Sequence, residues 1–391
     1  MTYPYNGQLS PTVGGGLGGL PARKSVVTTA IDKTTGAYGA YCFETNGNNN
    51  TNGSIMPICQ MTSDTFVSCR YDGSNNLYIV ASKLNSDLTT TFGSEVQVVN
   101  PAWQCSVCRL NDTTGLLIYA TSANIIARTF SLSGTTITLN SINSGYPFSY
   151  TLLYPSTIIP ISETIALTIF KLSSTQIALQ MMSISGTTVT FGSVSTINVD
   201  IFTYYQAAML DSETMIITYR VSNYTYSSVY SISGTTLTGG IPVIVTSPSK
   251  TSDQTNGAGI FVISPTSVIV ASSDSTVSNK PILCWLSISG TTISVLQNTA
   301  ITQSIYIRDI RYSGINEKGN LLLIILSGTG LASVEIAVSG YIVTSATLSK
   351  FMLASYCARP IKTIDGKTLA LADAFTPTYA FHVGMIGRIA K

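Results

Sequence analysis

The side chains that could do chemistry are few and poorly placed for it. A nucleophilic Ser or Cys needs a base beside it, and the 391 residues hold one histidine, His382, in an apolar stretch near the end. Glycosidic cleavage needs two facing carboxylates. Only 18 Asp and Glu are present. Of these, Asp64, Asp112, Glu163, Asp211, Glu213 and Asp365 sit in short polar stretches where Asp is a turn former. The seven cysteines, Cys42, Cys59, Cys69, Cys105, Cys108, Cys284 and Cys357, are odd in number and scattered, a poor disulfide framework. Cys105 and Cys108 form one C-x-x-C, but a closed zinc site needs four ligands, and no second such pair follows. They read as small packed thiols. Calcium-loop and phosphate-loop patterns are absent. The expectation is a protein that is not an enzyme, with no catalytic residues, no metal and no cofactor.

Composition narrows what such a chain can be. It is 45% hydrophobic but only 10% charged, where soluble domains usually carry about 25% charged residues; Ser and Thr fill the difference. Abundant Ile, Val, Thr and Tyr exclude a disordered chain. The longest aliphatic run, Leu321 to Leu326, is far short of the roughly 18 apolar residues of a spanning helix, so no membrane insertion is expected. A formal net charge of +2 leaves no basic footprint for nucleic acid. The opening Met1-Thr-Tyr-Pro-Tyr-Asn-Gly7 is polar and turn-forming, unlike a secretory signal.

The elements that would have to position any site are announced by a repeat. Ser131-Leu-Ser-Gly-Thr-Thr-Ile-Thr138 returns as Ser183-Ile-Ser-Gly-Thr-Thr-Val-Thr190, Ser231-Ile-Ser-Gly-Thr-Thr-Leu-Thr238 and Ser287-Ile-Ser-Gly-Thr-Thr-Ile-Ser294. A degenerate copy stands at Ala337-Val-Ser-Gly-Tyr-Ile-Val-Thr344 and a looser one around Lys83-Leu-Asn-Ser-Asp87. A period of about 50 residues matches a four-stranded propeller blade. Each copy reads as a hairpin with a two-residue Gly-Thr loop, which suits a type II′ turn with Gly at the positive-φ position. That register pairs Ile232 with Leu237, Ile184 with Val189, Ile288 with Ile293 and Leu132 with Ile137 on one face, leaving Ser and Thr on the other.

A second hairpin precedes each copy: a short strand, an Asn/Asp/Ser turn and an aliphatic strand, as in Met209-Leu-Asp-Ser-Glu-Thr-Met-Ile-Ile-Thr-Tyr219. Two hairpins make one blade. Units start near residues 57, 104, 151, 204, 257, 306 and 355, so the fold class expected is all-β: a seven-bladed β-propeller of four-stranded antiparallel blades over residues 25–391, with an extended N-terminal arm over residues 1–24. The last unit is too short for four strands; a stretch within residues 25–45 is expected to supply the missing one and remove the exposed edge.

The repeat, an aliphatic-x-(Ser/Asp)-x-Thr-x-aliphatic turn followed by Ser-Ile-Ser-Gly-Thr-Thr-x-Thr over about residues 55 to 350, resembles the repeats of bacteriophage virion β-propeller proteins found in tail fibres, neck or head appendages and baseplate-associated adhesins. The resemblance implies a virion structural or host-attachment component, assembled in the host cytoplasm, present in multiple copies and partnered by other virion proteins. In that setting the Gly/Pro-rich arm, Pro11-Thr-Val-Gly-Gly-Gly-Leu-Gly-Gly-Leu-Pro21 with Tyr3, Tyr5, Leu17 and Leu20 as candidate anchoring residues, docks on a neighbouring subunit or lies on its own propeller. The hairpin turns share one end of the blades; the connections at the other end are longer, irregular and rich in tyrosine. Tyr146, Tyr150, Tyr154, Tyr204, Tyr205, Tyr224 and Tyr226 are the candidate contacts to a host-surface glycan or protein, because variable loops on a rigid scaffold carry recognition and Tyr offers an apolar face with a hydroxyl. Arg128, Arg220 and Arg308 are possible assistants. The alternative is a free lectin-like carbohydrate-binding or protein-scaffold propeller.

Overall fold

Each described Ser-x-Ser-Gly-Thr-Thr copy is a hairpin. Ile184 pairs with Val189 and Ser185 with Thr188; Ile232 pairs with Leu237; Ile288 pairs with Ile293 and Leu286 with Val295. The turn glycines Gly134, Gly186, Gly234, Gly290 and Gly340 have φ of 59°, 58°, 56°, 57° and 58°, the left-handed region that a side chain would strain. The degenerate fifth copy keeps this turn. The computed structural model describes residues 40–44, 57–71, 76–84, 90–100, 102–121, 124–147, 157–173, 175–199, 205–221, 224–246, 258–274, 280–301, 309–315, 319–327, 330–353, 361–362, 368–375 and 380–388. The candidate anchoring residues Tyr3, Tyr5, Leu17 and Leu20 lie outside them.

Among the described residues the strands form seven antiparallel sheets, six of them with their strands side by side in chain order. Unit one is Ile58–Gln60, Thr65–Tyr71, Leu77–Leu84 and a fourth strand split into Thr90–Phe92 and Val96–Val99. Unit two is Trp103–Arg109, Thr114–Ala120, Asn124–Ser133 and Thr136–Pro147. Unit three is Thr157–Pro160, Ile165–Ser173, Gln176–Ser185 and Thr188–Asn198; unit four is Tyr205–Met209, Thr214–Val221, Tyr224–Ser233 and the split Thr236–Gly239 with Val243–Thr246. Unit five is Gly259–Ser264, Ser267–Asp274, Lys280–Ser289 and Thr292–Ala300; unit six is Asp309–Ile315, Leu321–Ser327, Gly330–Ser339 and Ile342–Leu353. Unit seven has Ile361–Lys362, Thr368–Phe375 and Ala380–Arg388, and its fourth strand is Ala40–Glu44 from the start of the chain, with Phe43 opposite Val383. A consecutive four-stranded antiparallel sheet repeated along the chain is the blade of a β-propeller.

Two compact bodies are present, residues 1–144 with 351–391 and residues 145–350. In the first, Met61, Val67, Cys69, Leu77 and Ile79 of unit one pack against Val107, Leu117, Tyr119 and Phe130 of unit two. In the second, alternation sends successive residues of one strand to two different cores. Met215, Ile217 and Tyr219 face unit three's Leu167, Ile169 and Leu179, while Ile216 joins unit five's Val268, Val270 and Leu286. Middle strands are therefore buried on both faces, mostly through apolar residues, with Thr168, Gln180, Thr218 and Ser227 among the buried polar ones. Fourth strands are covered on one face only: along Thr188–Asn198, Val189 and Ile197 are buried while Thr188, Thr190, Thr196 and Asn198 are exposed.

Candidate functional site

Asp64, Asp112 and Asp211 are held in turns. In unit four, Asp211 Oδ1 accepts the backbone N–H of Glu213 at 2.8 Å and of Thr214 at 2.7 Å, and the backbone of Leu210 closes the loop on the Thr214 carbonyl. Asn111, Ser162 and Ser264 do the same in units two, three and five. These are side-chain turns of the kind Asp, Asn and Ser favour. Hydrogen bonds from Thr214 and the Glu213 amide hold the Asp211 carboxyl below its ordinary range. For Asp64, burial pushes upward, but hydrogen bonds from Thr62, Thr65 and Lys83 outweigh it and the carboxyl is lowered; Lys83 Nζ stands 3.4 Å from it. Asp112 is paired with Arg109 at 2.6 Å. The carbonyls of Thr113, Thr164, Glu213 and Thr266 then accept the N–H of Leu132, Ile184, Ile232 and Ile288, so the two turns of a unit are joined at the same end of the sheet.

The thiols are structural. Cys59, Cys69, Cys105, Cys108 and Cys284 are free and buried. Three residues apart on one strand, Cys105 and Cys108 point to opposite faces, which explains why C-x-x-C makes no chelate here. Among the described residues no group of three His, Cys, Asp or Glu is disposed to hold a metal. Burial pushes the Cys108 and Cys284 thiols up to about 12 and raises those of Cys59 and Cys69 well above the ordinary value. Because the thiolate is the reactive form, Cys59, Cys69, Cys108 and Cys284 are expected to stay unlabelled by an aromatic disulfide reagent at pH 8 in the native protein and to react at once in denaturant. Rapid native labelling of any of them, read by peptide mass, would contradict this burial. His382 stands opposite Asp373 on one side and Glu44 on the other within unit seven.

The candidate tyrosines separate into different environments. Tyr205 opens the first strand of unit four, half-buried, and its hydroxyl donates to the Ile169 carbonyl of unit three at 2.8 Å. Tyr226 lies opposite Tyr219 and stacks on it, ring centroids 6.0 Å apart and 14° from parallel. These two rings build the scaffold between and within sheets. Tyr224, at the start of the same strand, is 39% exposed. Tyr146 falls in the fourth strand of unit two; Tyr150, Tyr154 and Tyr204 lie outside the described residues. Tyr219 was not singled out by sequence, although Tyr219 and Tyr226 flank the Val221–Tyr224 turn symmetrically, the spacing that puts two residues opposite each other in a hairpin. Arg128 is spent on the scaffold, its Nε donating to the Asn140 carbonyl; Gln180 Nε2 does the same for Gly192 at 3.0 Å.

The two ends of the sheets differ in regularity. The Gly-Thr turns are two residues long throughout, whereas connections between sheets range from residues 100–102 to residues 247–258. Tyr224 opens the third strand of unit four at the end opposite the Gly-Thr turn.

No protein-family model matches the sequence, and no curated protein does. Solved structures do. The polysaccharide lyase Uly1 matches at 9% identity over 87% of this chain and 91% of that one, TM-score 0.54. A Bacteroides uniformis protein provisionally described as a 6-phosphogluconolactonase matches at 7% identity over 84% and 98%, TM-score 0.53. A Lactobacillus plantarum protein matches at 11% identity over 80% and 86%, TM-score 0.52. Identities this low carry fold and not activity. Taken with the repeated four-stranded antiparallel sheets, they make the chain a β-propeller protein.

Proposed function

We propose that the protein is a non-enzymatic virion appendage of a bacteriophage, a tail-fibre, collar or decoration component, whose propeller presents its variable connections to a host surface. The observation that carries the reading is the asymmetry of the sheets in units two to five: one end is closed by short turns whose polar side chains bond to their own backbone, and the other carries connections of differing length with an exposed tyrosine. The likeness of the repeat to phage virion propellers supplies the setting. The N-terminal arm, with Tyr3, Tyr5, Leu17 and Leu20, anchors the protein to other virion proteins in this reading.

The test uses the full chain. Saturable binding to one member of a panel of bacterial surfaces and polysaccharides is expected, with Tyr224→Ala weakening it about five- to thirtyfold and leaving the melting temperature unchanged, since a half-exposed aromatic contact is worth about 1–2 kcal/mol. Absence of binding to any surface would leave assembly, not attachment, as the role. Absence of the protein from purified particles, by mass spectrometry, would remove the virion reading itself.

A further inference from the structure

The repeated turn has a partner. In unit four the fourth strand breaks at Gly240, whose N–H still bonds to the Val229 carbonyl at 2.8 Å, and a Cβ added there would lie 2.0 Å from the carbonyl oxygen of Thr291. Thr291 is the residue after the turn glycine Gly290 of unit five. In unit one the strand breaks at Gly93, and a Cβ there would lie 1.8 Å from the Thr135 carbonyl oxygen, the residue after Gly134 of unit two. In unit three the register slips beside Gly192, and the nearest atom from unit four is the Thr235 carbonyl oxygen, 3.7 Å from the added Cβ, again the residue after the turn glycine. At the junction of units five and six, Thr299 Oγ1 donates to the Tyr341 carbonyl at 3.1 Å, and the Tyr341 ring meets Trp285 edge-on with centroids 6.0 Å apart. Tyr341 follows Gly340.

We propose that the Gly-Thr turns of units two, four and five are latches, the second-residue carbonyl of each docking into a bulge in the fourth strand of the preceding unit. A bulge bends the strand and leaves the pairing open at one residue. Glycine there lets a backbone carbonyl come within Cα–H···O reach. Gly234 and Gly240 are six residues apart, so the hairpin of unit four carries both the tongue for unit three and the groove for unit five. Where the groove residue is Leu296 rather than Gly, the tongue residue is Tyr rather than Thr, and a hydroxyl and an indole hold it instead. The repeat is thus a self-recognition motif between neighbouring sheets, whatever the protein binds elsewhere.

The three groove glycines lack positive φ, so a methyl group is opposed by the neighbouring carbonyl and not by the backbone's own conformation. In the full chain, Gly93→Ala and Gly240→Ala are expected to lower the melting temperature by about 3–6 °C, and Gly192→Ala by about 2 °C or less. Equal losses at all three positions, or no loss at Gly93 and Gly240, would overturn the latch. If the tight variants fail to fold, Thr299→Val gives a milder cut: hydrogen exchange across residues 339–343 should quicken about tenfold while exchange in units three and four stays the same. Unchanged exchange there would overturn it as well.

Discussion

A chain shortened to residues 46–391 is expected to aggregate and to lose its cooperative thermal transition, while one shortened to residues 25–391 melts as the full chain does. Both truncations remove the Gly/Pro-rich arm, and only the first removes Ala40–Glu44. That strand lies outermost in unit seven, paired with Ala380–Arg388 from Ala40 opposite Ile386 to Glu44 opposite His382. Without it, the unit keeps three strands and presents the unpaired backbone of Ala380–Arg388, an apolar edge able to pair with another molecule. The strand also joins the start of the chain to its last unit, so its loss frees two segments that are otherwise held together. Size-exclusion chromatography and a melt at two protein concentrations distinguish the outcomes. A monomeric, cooperatively melting 46–391 fragment would show that the pairing does not secure the fold.

Phe130→Ala is expected to cost about 3–5 kcal/mol, the range for removing a fully buried aromatic ring. Phe130 is 0% exposed and stands directly opposite Gly115. A Cβ at residue 115 would lie 2.1 Å from Phe130 Cζ, so the ring lies flat over the glycine backbone and fills the space a side chain would take. The same arrangement recurs in unit four, where Tyr230 stands opposite Gly239 with its ring 2.6 Å from the position of a Cβ. Covering a strand glycine with a cross-strand aromatic is a recognised way to keep such a residue tolerable in a sheet. The pair makes a second expectation available from the same denaturation curves. Gly115→Ala should destabilise the native chain by about 1–3 kcal/mol through overpacking but should be nearly neutral beside Phe130→Ala, a coupling that additive changes would not show. Additivity would mean that the ring and the glycine do not share their space.

Much of the fold could be read without coordinates because the information is local. The hairpin register follows from a Gly that can take positive φ and from alternation around it, and both are properties of eight consecutive residues. The Asp, Asn and Ser turns follow for the same reason: the side chain bonds to amides two or three residues on. A short last unit implied a missing strand, and Ala40–Glu44 falls within the stretch marked for it. The candidate site was less accessible. Tyr226 pairs with Tyr219 across its own hairpin, a contact their spacing implies, whereas Tyr205, which looks like its neighbours in sequence, donates to Ile169 of another sheet; nothing within a few residues distinguishes a ring that faces a neighbouring sheet from one that faces water.

By itself, then, the sequence determined the strand period, the turn residues and the pairing within the described Gly-Thr hairpins, because each is decided by residues close together in the chain. Only the tertiary structure decided which tyrosines are scaffold, that Arg128 is spent on the Asn140 carbonyl, that Cys105 and Cys108 end in buried surroundings on opposite faces, and that Gly93 and Gly240 receive the turn of the next unit. The last of these depends on what a neighbouring sheet places against each glycine from roughly 40 to 50 positions away, and packing at that range is set by the fitting of whole surfaces rather than by any local preference.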